Sequence, residues 1–372
     1  MTANIHRDGR SFNQNKKIFA ERLVFLSRGI YIYSLEKRRI AAAAGKSFYM
    51  EKPRIYFLGS GNIAVPVFKT LAGSEKIELV GAGTQIDRPA GRKCRLVPTP
   101  VGAAAAEMGF AIDKIPSVNT PDFIEHLREL RPDILLVLSF GQLLKQPLLE
   151  IPTQGCVNIH ASLLPAYRGA SPVVSAILAG ESETGVTFMR MALALDSGPV
   201  YCRLRRPLTG KELAGTLEIE LGEMASAAVE DILLKICSGE LRPVPQDDGA
   251  ATFCRKIKKS DGVVDWRKPA VEICAMARAF FPWPGARFQV SAGEGRSVTA
   301  TIAACCVRPE LCAPPGTFLS TDRKSMIVAC GNGALEILEI IPSGGRRMAA
   351  AAFRNGMRGA PLSFPPPEGA MQ

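Results

Sequence analysis

From Arg54 onward, short apolar runs alternate with stretches of helical period, and few folds accommodate that order. Residues 55–58 are continuously apolar and run into Gly59-Ser60-Gly61, which reads as a buried strand followed by a tight turn. A helix is expected over residues 63–71 and a second strand over 77–83. Phe123, Leu127 and Leu130 share one helical face, so residues 121–130 read as a helix. Residues 134–138 and 156–160 read as further buried strands. The expected fold class is α/β, with a Rossmann-like, mostly parallel sheet covered by helices on both faces.

The pattern changes further along. Residues 185–191 and 199–205 read as strands flanking Asp196-Ser197-Gly198, and a long helix is expected over 211–237. Residues 242–249 carry Pro and Asp and read as a linker. Past Ser260 the apolar runs are short and punctuated by Gly and Pro, at 286–290, 298–303, 326–329 and 334–341. Closely spaced short strands suggest a small C-terminal β-barrel of OB-like form. The expected organisation is a leader over 1–49, a catalytic domain over 53–240, a basic linker over 241–258, a barrel over 259–358 and a loose Pro-rich tail over 359–372.

The net charge of +11 is uneven: residues 1–49 hold ten Lys/Arg against three Asp/Glu. That leader fits a mitochondrial transit peptide, or a dispensable segment ahead of a natural start at Met50, the simpler reading. The compartment expected is the cytoplasm of a bacterial-type cell, or the mitochondrial matrix if the leader is a transit peptide. The rest of the chain is mildly basic, which suits a polyanionic partner. Ten cysteines without a CxxC pair argue against structural zinc or a disulfide framework. No apolar run reaches the ~18 residues of a membrane helix.

Residues 158–172, Asn-Ile-His-Ala-Ser-Leu-Leu-Pro-Ala-Tyr-Arg-Gly-Ala-Ser-Pro, follow an apolar strand. Ligands of open α/β sheets bind at the carboxyl ends of strands, so a site is expected here. Asn158 and His160 are two apart on a strand and share a face. An amide can donate to a developing oxyanion, and an imidazole can move a proton near neutral pH. Asp196, in its turn between strands, is the candidate carboxylate to orient that imidazole. A lone histidine is more often structural. His126 sits mid-helix among Glu125, Arg128 and Glu129 and is expected to be solvated, and His6 lies in the leader.

The order Asn158-x-His160-x-Ser162-Leu163-Leu164-Pro165-x-x-Arg168-Gly169, with Leu195-Asp196-Ser197-Gly198-Pro199 downstream, resembles the signature of the folate-dependent formyltransferases. The resemblance implies that Asn158, His160 and Asp196 are catalytic and that Ser162, Leu163, Leu164 and Pro165 contact the folate. It implies 10-formyltetrahydrofolate as co-substrate and no metal.

Three further stretches resemble the branch of that family acting on initiator methionyl-tRNA, and the likeness spans roughly residues 53–358. One is the basic loop Thr84 to Arg95, where four of the eight residues from Arg88 onward are basic. A second is Asp261-Gly262-Val263-Val264-Asp265-Trp266 with Arg278-Ala279-Phe280-Phe281-Pro282-Trp283-Pro284-Gly285-Ala286, and the third is Pro315-Gly316-Thr317 with residues 328–335. The Trp and Phe side chains of the second stretch are expected in the core. Arg88, Arg92, Lys93 and Arg95 in the loop, and Arg255, Lys256, Lys258 and Lys259 at the domain joint, are the expected tRNA contacts. A monomer suffices for such a scheme.

The chain departs from that family at Gly59-Ser60-Gly61-Asn62-Ile63-Ala64, where Gly-Thr-Pro-Asp-Phe-Ala is usual, and at Ile86 and Cys94 in the basic loop. Gly59-x-Gly61-x-x-Ala64 also matches a dinucleotide fingerprint, with Asp87 as a possible ribose ligand, so an NAD(P)-dependent oxidoreductase is an alternative. Transfer to a nucleotide or sugar amine, and hydrolysis of formyltetrahydrofolate, are alternatives on the same core. The basic loop and the barrel speak against both. An RNA-binding protein without catalysis is disfavoured by the intact trio.

Overall fold

A computed structural model describes residues 52–90, 94–292, 296–357 and 362–365. Expectations for residues 1–49, and for Arg92 and Lys93, lie outside them. The unit from Pro53 onward begins with β1 (Arg54–Gly59), α1 (Ala64–Ala72) and β2 (Glu78–Gln85). The short strands β3 (Arg88–Ala90) and β4 (Arg95–Val97) follow, then α2 (Pro100–Glu107), β5 (Asp113–Ile115) and α3 (Pro121–Leu130). Next come β6 (Ile134–Leu138), α4 (Gln146–Leu149), β7 (Cys156–His160), β8 (Arg168–Gly169) and α5 (Pro172–Ala179). The antiparallel pair β9 (Glu183–Arg190) and β10 (Val200–Pro207) leads to α6 (Ala214–Cys237).

Seven strands form one sheet in the order β10-β9-β7-β6-β1-β2-β5. The pairs from β7 to β5 are parallel, and β9 runs antiparallel to both its neighbours. The mostly parallel sheet expected from the apolar runs is the one found. Every residue of β6 is buried, as befits a central strand covered on both faces.

The helices show why some elements were hidden in the sequence. α2 and α3 start at Thr-Pro pairs in which Thr99 and Thr120 accept from the backbone N–H of Gly102 and Phe123. α2 is mostly alanine and has no apolar stripe to betray it, and α5 is apolar almost throughout and so lacks a period. α6 begins at Ala214 rather than 211, because Glu212 accepts from Thr209 N at 2.7 Å and Thr209 Oγ1 at 2.8 Å and closes a turn first.

The expected linker is not free chain. Val244 exchanges two backbone hydrogen bonds with Val200, of 2.7 and 2.8 Å. β11 (Phe253–Cys254) then pairs in parallel with β8. After α7 (Ala270–Ala279) come β12 (Ala286–Ala292), β13 (Arg296–Arg308), β14 (Ile327–Ala329), β15 (Ala334–Pro342) and β16 (Met348–Ala349). α8 (Ala350–Gly356) and β17 (Leu362–Ser363) close the domain. The strands make a curled antiparallel sheet in the order β14-β15-β13-β12-β17, with β16 on β15, a half-barrel consistent with the OB-like barrel expected. Two corrections follow. Residues 362–364 are not loose: β17 pairs with β12, and Phe364 is 4% exposed against Trp266 and Phe288. Trp266 and Phe280 are core as expected, but Trp283 is 60% exposed. One core cluster runs from β1 to Phe364, and α5 packs on α7 where the two domains meet.

Candidate active site

β7 carries Asn158 and His160 at its carboxyl end, beside the end of β6 and the middle of β9. The ends of β1, β6 and β7 open on a cleft of about 690 Å³ whose lining includes Ser60, Phe140, Asn158, His160, Asp196 and Glu218. Asn158 is half-buried and His160 is 6% exposed.

Asp196 reaches this point from the turn between β9 and β10. Its backbone is left-handed, with φ of 49°, a conformation that Asp tolerates better than most residues. The carboxylate accepts from Gly169 N at 2.8 Å and from Asn158 Nδ2 at 3.4 Å, and its Oδ2 lies 3.7 Å from His160 Nδ1. On the other side of the ring, His160 Nε2 stands 2.8 Å from the carbonyl of Tyr167. A carbonyl only accepts, so Nε2 carries a proton and donates. A second proton, on Nδ1, would have Asp196 as its acceptor. The three groups therefore make one network that can take up and release a proton.

The segment after β7 is held from below and behind. Ser162 is 1% exposed and donates to the carbonyl of Ala166 at 2.5 Å. Thr187 donates to Ser162 O at 2.6 Å and accepts from Leu164 N at 3.1 Å. Gly169 is required: an added Cβ would sit 2.1 Å from the carbonyl of Cys254 on β11. Cys254 donates its thiol to Tyr167 O at 3.3 Å, and burial, helped by the charge of Asp196, raises its pKa and keeps it protonated.

A second device holds Asp196. Gln246, in the stretch read as linker, donates both amide protons, to Asp196 O at 2.8 Å and Gly198 O at 2.7 Å. Its own oxygen accepts from Arg168 Nε at 3.1 Å and Nη2 at 2.9 Å. The buried Arg168 also pairs with Asp248 at 2.7 Å. Sequence reasoning passed over Gln246 because a glutamine among Pro and Asp carries no motif. Arg168 stood in the motif without a role. Glu218 had no signal at all, being one acidic residue among several on a helix.

Residues 53–232 match the family described as formyl transferase, and residues 256–358 its C-terminal domain. The methionyl-tRNA formyltransferase of Trichlorobacter lovleyi is 38% identical over 311 residues, 84% of this chain and 95% of that protein. That of Roseiflexus sp. strain RS-1 is 40% identical over 307 residues, 82% of this chain and 93% of that one. The chain belongs to the methionyl-tRNA formyltransferase family. Among solved structures, HypX from Aquifex aeolicus with tetrahydrofolic acid shares the fold, with a TM-score of 0.55 and 17% identity over 83% of this chain and 48% of that one. So does the N-formyltransferase from Helicobacter canadensis with folinic acid and dTDP-3-aminofucose, at 0.55 and 17% over 80% of this chain and all of that one.

The family resemblance implied folate contacts at Ser162, Leu163, Leu164 and Pro165. None of the four is among the described residues lining the cleft. Leu164 is buried against Met189 and Val200, and its carbonyl accepts from Arg203 at 2.6 Å. Leu163, Leu164 and Pro165 instead border a separate recess of about 380 Å³.

The residues expected at tRNA divide. Arg88 and Arg95 are exposed on the β3–β4 hairpin, where Arg88 also bonds Gln85 at 2.7 Å. Lys256, Lys258 and Lys259 are exposed at the joint. Arg255, by contrast, is committed to Asp261 through two bonds of 2.7 Å. Asp87, the ribose ligand of the dinucleotide alternative, is paired with Lys114 at 2.5 Å.

Proposed function

We propose that the protein transfers the formyl group of 10-formyltetrahydrofolate to the α-amine of initiator methionyl-tRNA, giving the formylated aminoacyl-tRNA used to begin translation. The observation that carries this reading is the network of Asn158, His160 and Asp196 at the end of β7, facing one cleft. It stands in a chain of this family with a basic hairpin and a basic joint beside an OB-like domain.

The chemistry supplied by the folate is an activated one-carbon unit on N10. The chain's residues act on the carbonyl under attack. Asn158 has an amide that is only weakly engaged, at 3.4 Å, and so can donate to the oxygen where negative charge develops. His160, fixed through Nε2 by Tyr167 O, presents Nδ1 toward Asp196 and moves protons with it from the amine toward N10. Asp196 is the pivot, held by Gly169 N and, through its backbone, by Gln246. The cleft beside Phe140 is apolar enough on one wall for a flat heteroaromatic ring, with peptide groups of residues 138–142 at its edge. Ser162 to Pro165, held in place by Thr187 and by the carbonyl of Ala166, are the residues that would contact the folate from the loop after β7.

On this reading the catalytic domain spans 53–240 and the tRNA-binding domain 259–358, with Arg88, Arg92, Lys93, Arg95, Lys256, Lys258 and Lys259 on phosphates. The protein acts as a monomer without a metal, in the bacterial-type cytoplasm, or in the mitochondrial matrix with residues 1–49 as its address. The direct test is incubation of the purified protein with 10-formyltetrahydrofolate and charged initiator tRNA. Formylmethionine released by mild base hydrolysis is the expected product. Its absence, with turnover of a nucleotide-sugar amine instead, would overturn the assignment.

A further inference from the structure

α6 passes close to the active-site turn after β1. An added Cβ at Gly222 would lie 2.4 Å from the carbonyl oxygen of Ile63, so helix and turn touch backbone to side. Glu218 is four residues earlier and shares that face. It lines the same cleft as Ser60, Gly61, Ile63, Asn158 and His160.

The titratable groups among the described residues lining the cleft are His160, Asp196 and Glu218, and no Lys or Arg is among them. Asp196 already accepts from Gly169 N and Asn158 Nδ2 and faces His160. Glu218 is partly buried, forms no hydrogen bond or ion pair with any described residue, and burial raises its carboxyl above the ordinary range. A carboxylate drawn part-way out of water without a donor or cation is destabilising. Its partner is therefore expected to arrive with the ligand. Of the two substrates, only the aminoacyl ester brings a cation to the reacting centre, its α-ammonium group.

We infer that Glu218 is the receptor for the α-ammonium of the aminoacyl substrate and takes one proton from it, so that the free amine faces the formyl carbon. This rests on the formyl transfer proposed above. The protons balance. The ammonium loses its first proton to the Glu218 carboxylate, and the lone pair so freed forms the new N–C bond. The second amine proton leaves through His160 and Asp196 to N10 as the N10–C bond breaks. The Glu218 proton then passes to solvent.

The test compares wild type with Glu218→Gln and Glu218→Asp. Gln keeps the shape and removes the charge. Its KM for methionyl-tRNA is expected to rise about tenfold or more, the usual weight of a charged hydrogen bond, with the KM for 10-formyltetrahydrofolate unchanged. Asp should recover part of the loss. The melting temperature of Glu218→Gln should equal or exceed that of wild type, because an unpaired carboxylate has been removed from a partly buried position.

A binding measurement reads the contact without turnover. The probe is tRNA esterified with the 2-hydroxy analogue of methionine, which lacks the ammonium. Wild type should bind it more weakly than methionyl-tRNA, and Glu218→Gln should bind the two alike. Equal discrimination by wild type and variant, or an unchanged KM in the variant, overturns the assignment of Glu218. If wild type itself forms no formylmethionine, the proposed reaction fails instead.

Discussion

Asp196 is the residue on which a substitution can separate charge from shape. Its left-handed backbone, with φ of 49°, would be strained by Ala but suits Asn, which favours that region. Asp196→Asn keeps one acceptor for Gly169 N while removing the negative charge beside His160 Nδ1, 3.7 Å away. Turnover should fall by about 10²–10⁴-fold with the melting temperature within a few degrees of wild type, as for loss of a proton-transfer partner. A fall of less than about fivefold would remove Asp196 from the mechanism. The strand end and turn over residues 158–169 were legible because strand period and turn chemistry are local, while the roles expected of Asn158, His160 and Asp196 came from the resemblance. Glu218 was not, since what sets it apart is the absence of a partner, which only the packed cleft reveals.

At the scale of elements, the stretch over 241–258, expected as a basic linker, is more closely tied into the fold than its sequence suggests. It is tied to the loop after β7 and to β10, through the Val244–Val200 bridge, the Gln246 amide and the β11–β8 pair. Strands of two residues and a single glutamine side chain leave no periodic trace, so tertiary pairing alone defines them. Gln246→Leu should lose two donors to partly buried carbonyls and the acceptor of Arg168, lowering the melting temperature on the order of 5 °C. Turnover should fall further than stability requires, with KM for tRNA little changed, because Asp196 loses its backbone anchor. A loss confined to stability would show Gln246 to be packing only. In the same element, two bonds from Arg255 and one from Lys258 N hold the Asp261 carboxyl down at about 2, against an ordinary 3.8. A lowered carboxyl stabilises the fold above pH 3.8, and that contribution is lost as the pH falls from 3.8 to about 2. Acid unfolding of Asp261→Asn, followed by circular dichroism, should therefore show a shallower dependence on pH over that window than wild type.

Across the whole molecule, charge and core are distributed differently. The alternation of apolar runs specified the parallel sheet and the half-barrel, because burial of continuous strands is written directly in composition. The meeting of the two domains through α5 and α7 was not visible, because an apolar helix does not say which neighbour covers it. Charge gives the last prediction. Residues 1–49 supply seven of the eleven net positive charges, yet the described unit from Pro53 onward contains the core cluster and the cleft with Asn158, His160 and Asp196. If tRNA is bound through Lys256, Lys258, Lys259 and the β3–β4 hairpin, affinity should fall with salt in proportion to those contacts and not to net charge. Each Lys→Ala at the joint should lower the slope of log affinity against log salt by about 0.7–0.9 and weaken binding to any tRNA alike. Arg255→Ala should change the slope less, its charge being already matched by Asp261. A chain starting at Met50 should keep both the slope and the turnover of the full protein. A slope that collapses on this truncation, while the joint variants leave it unchanged, would move the electrostatic footprint for tRNA from the domain joint to the leader.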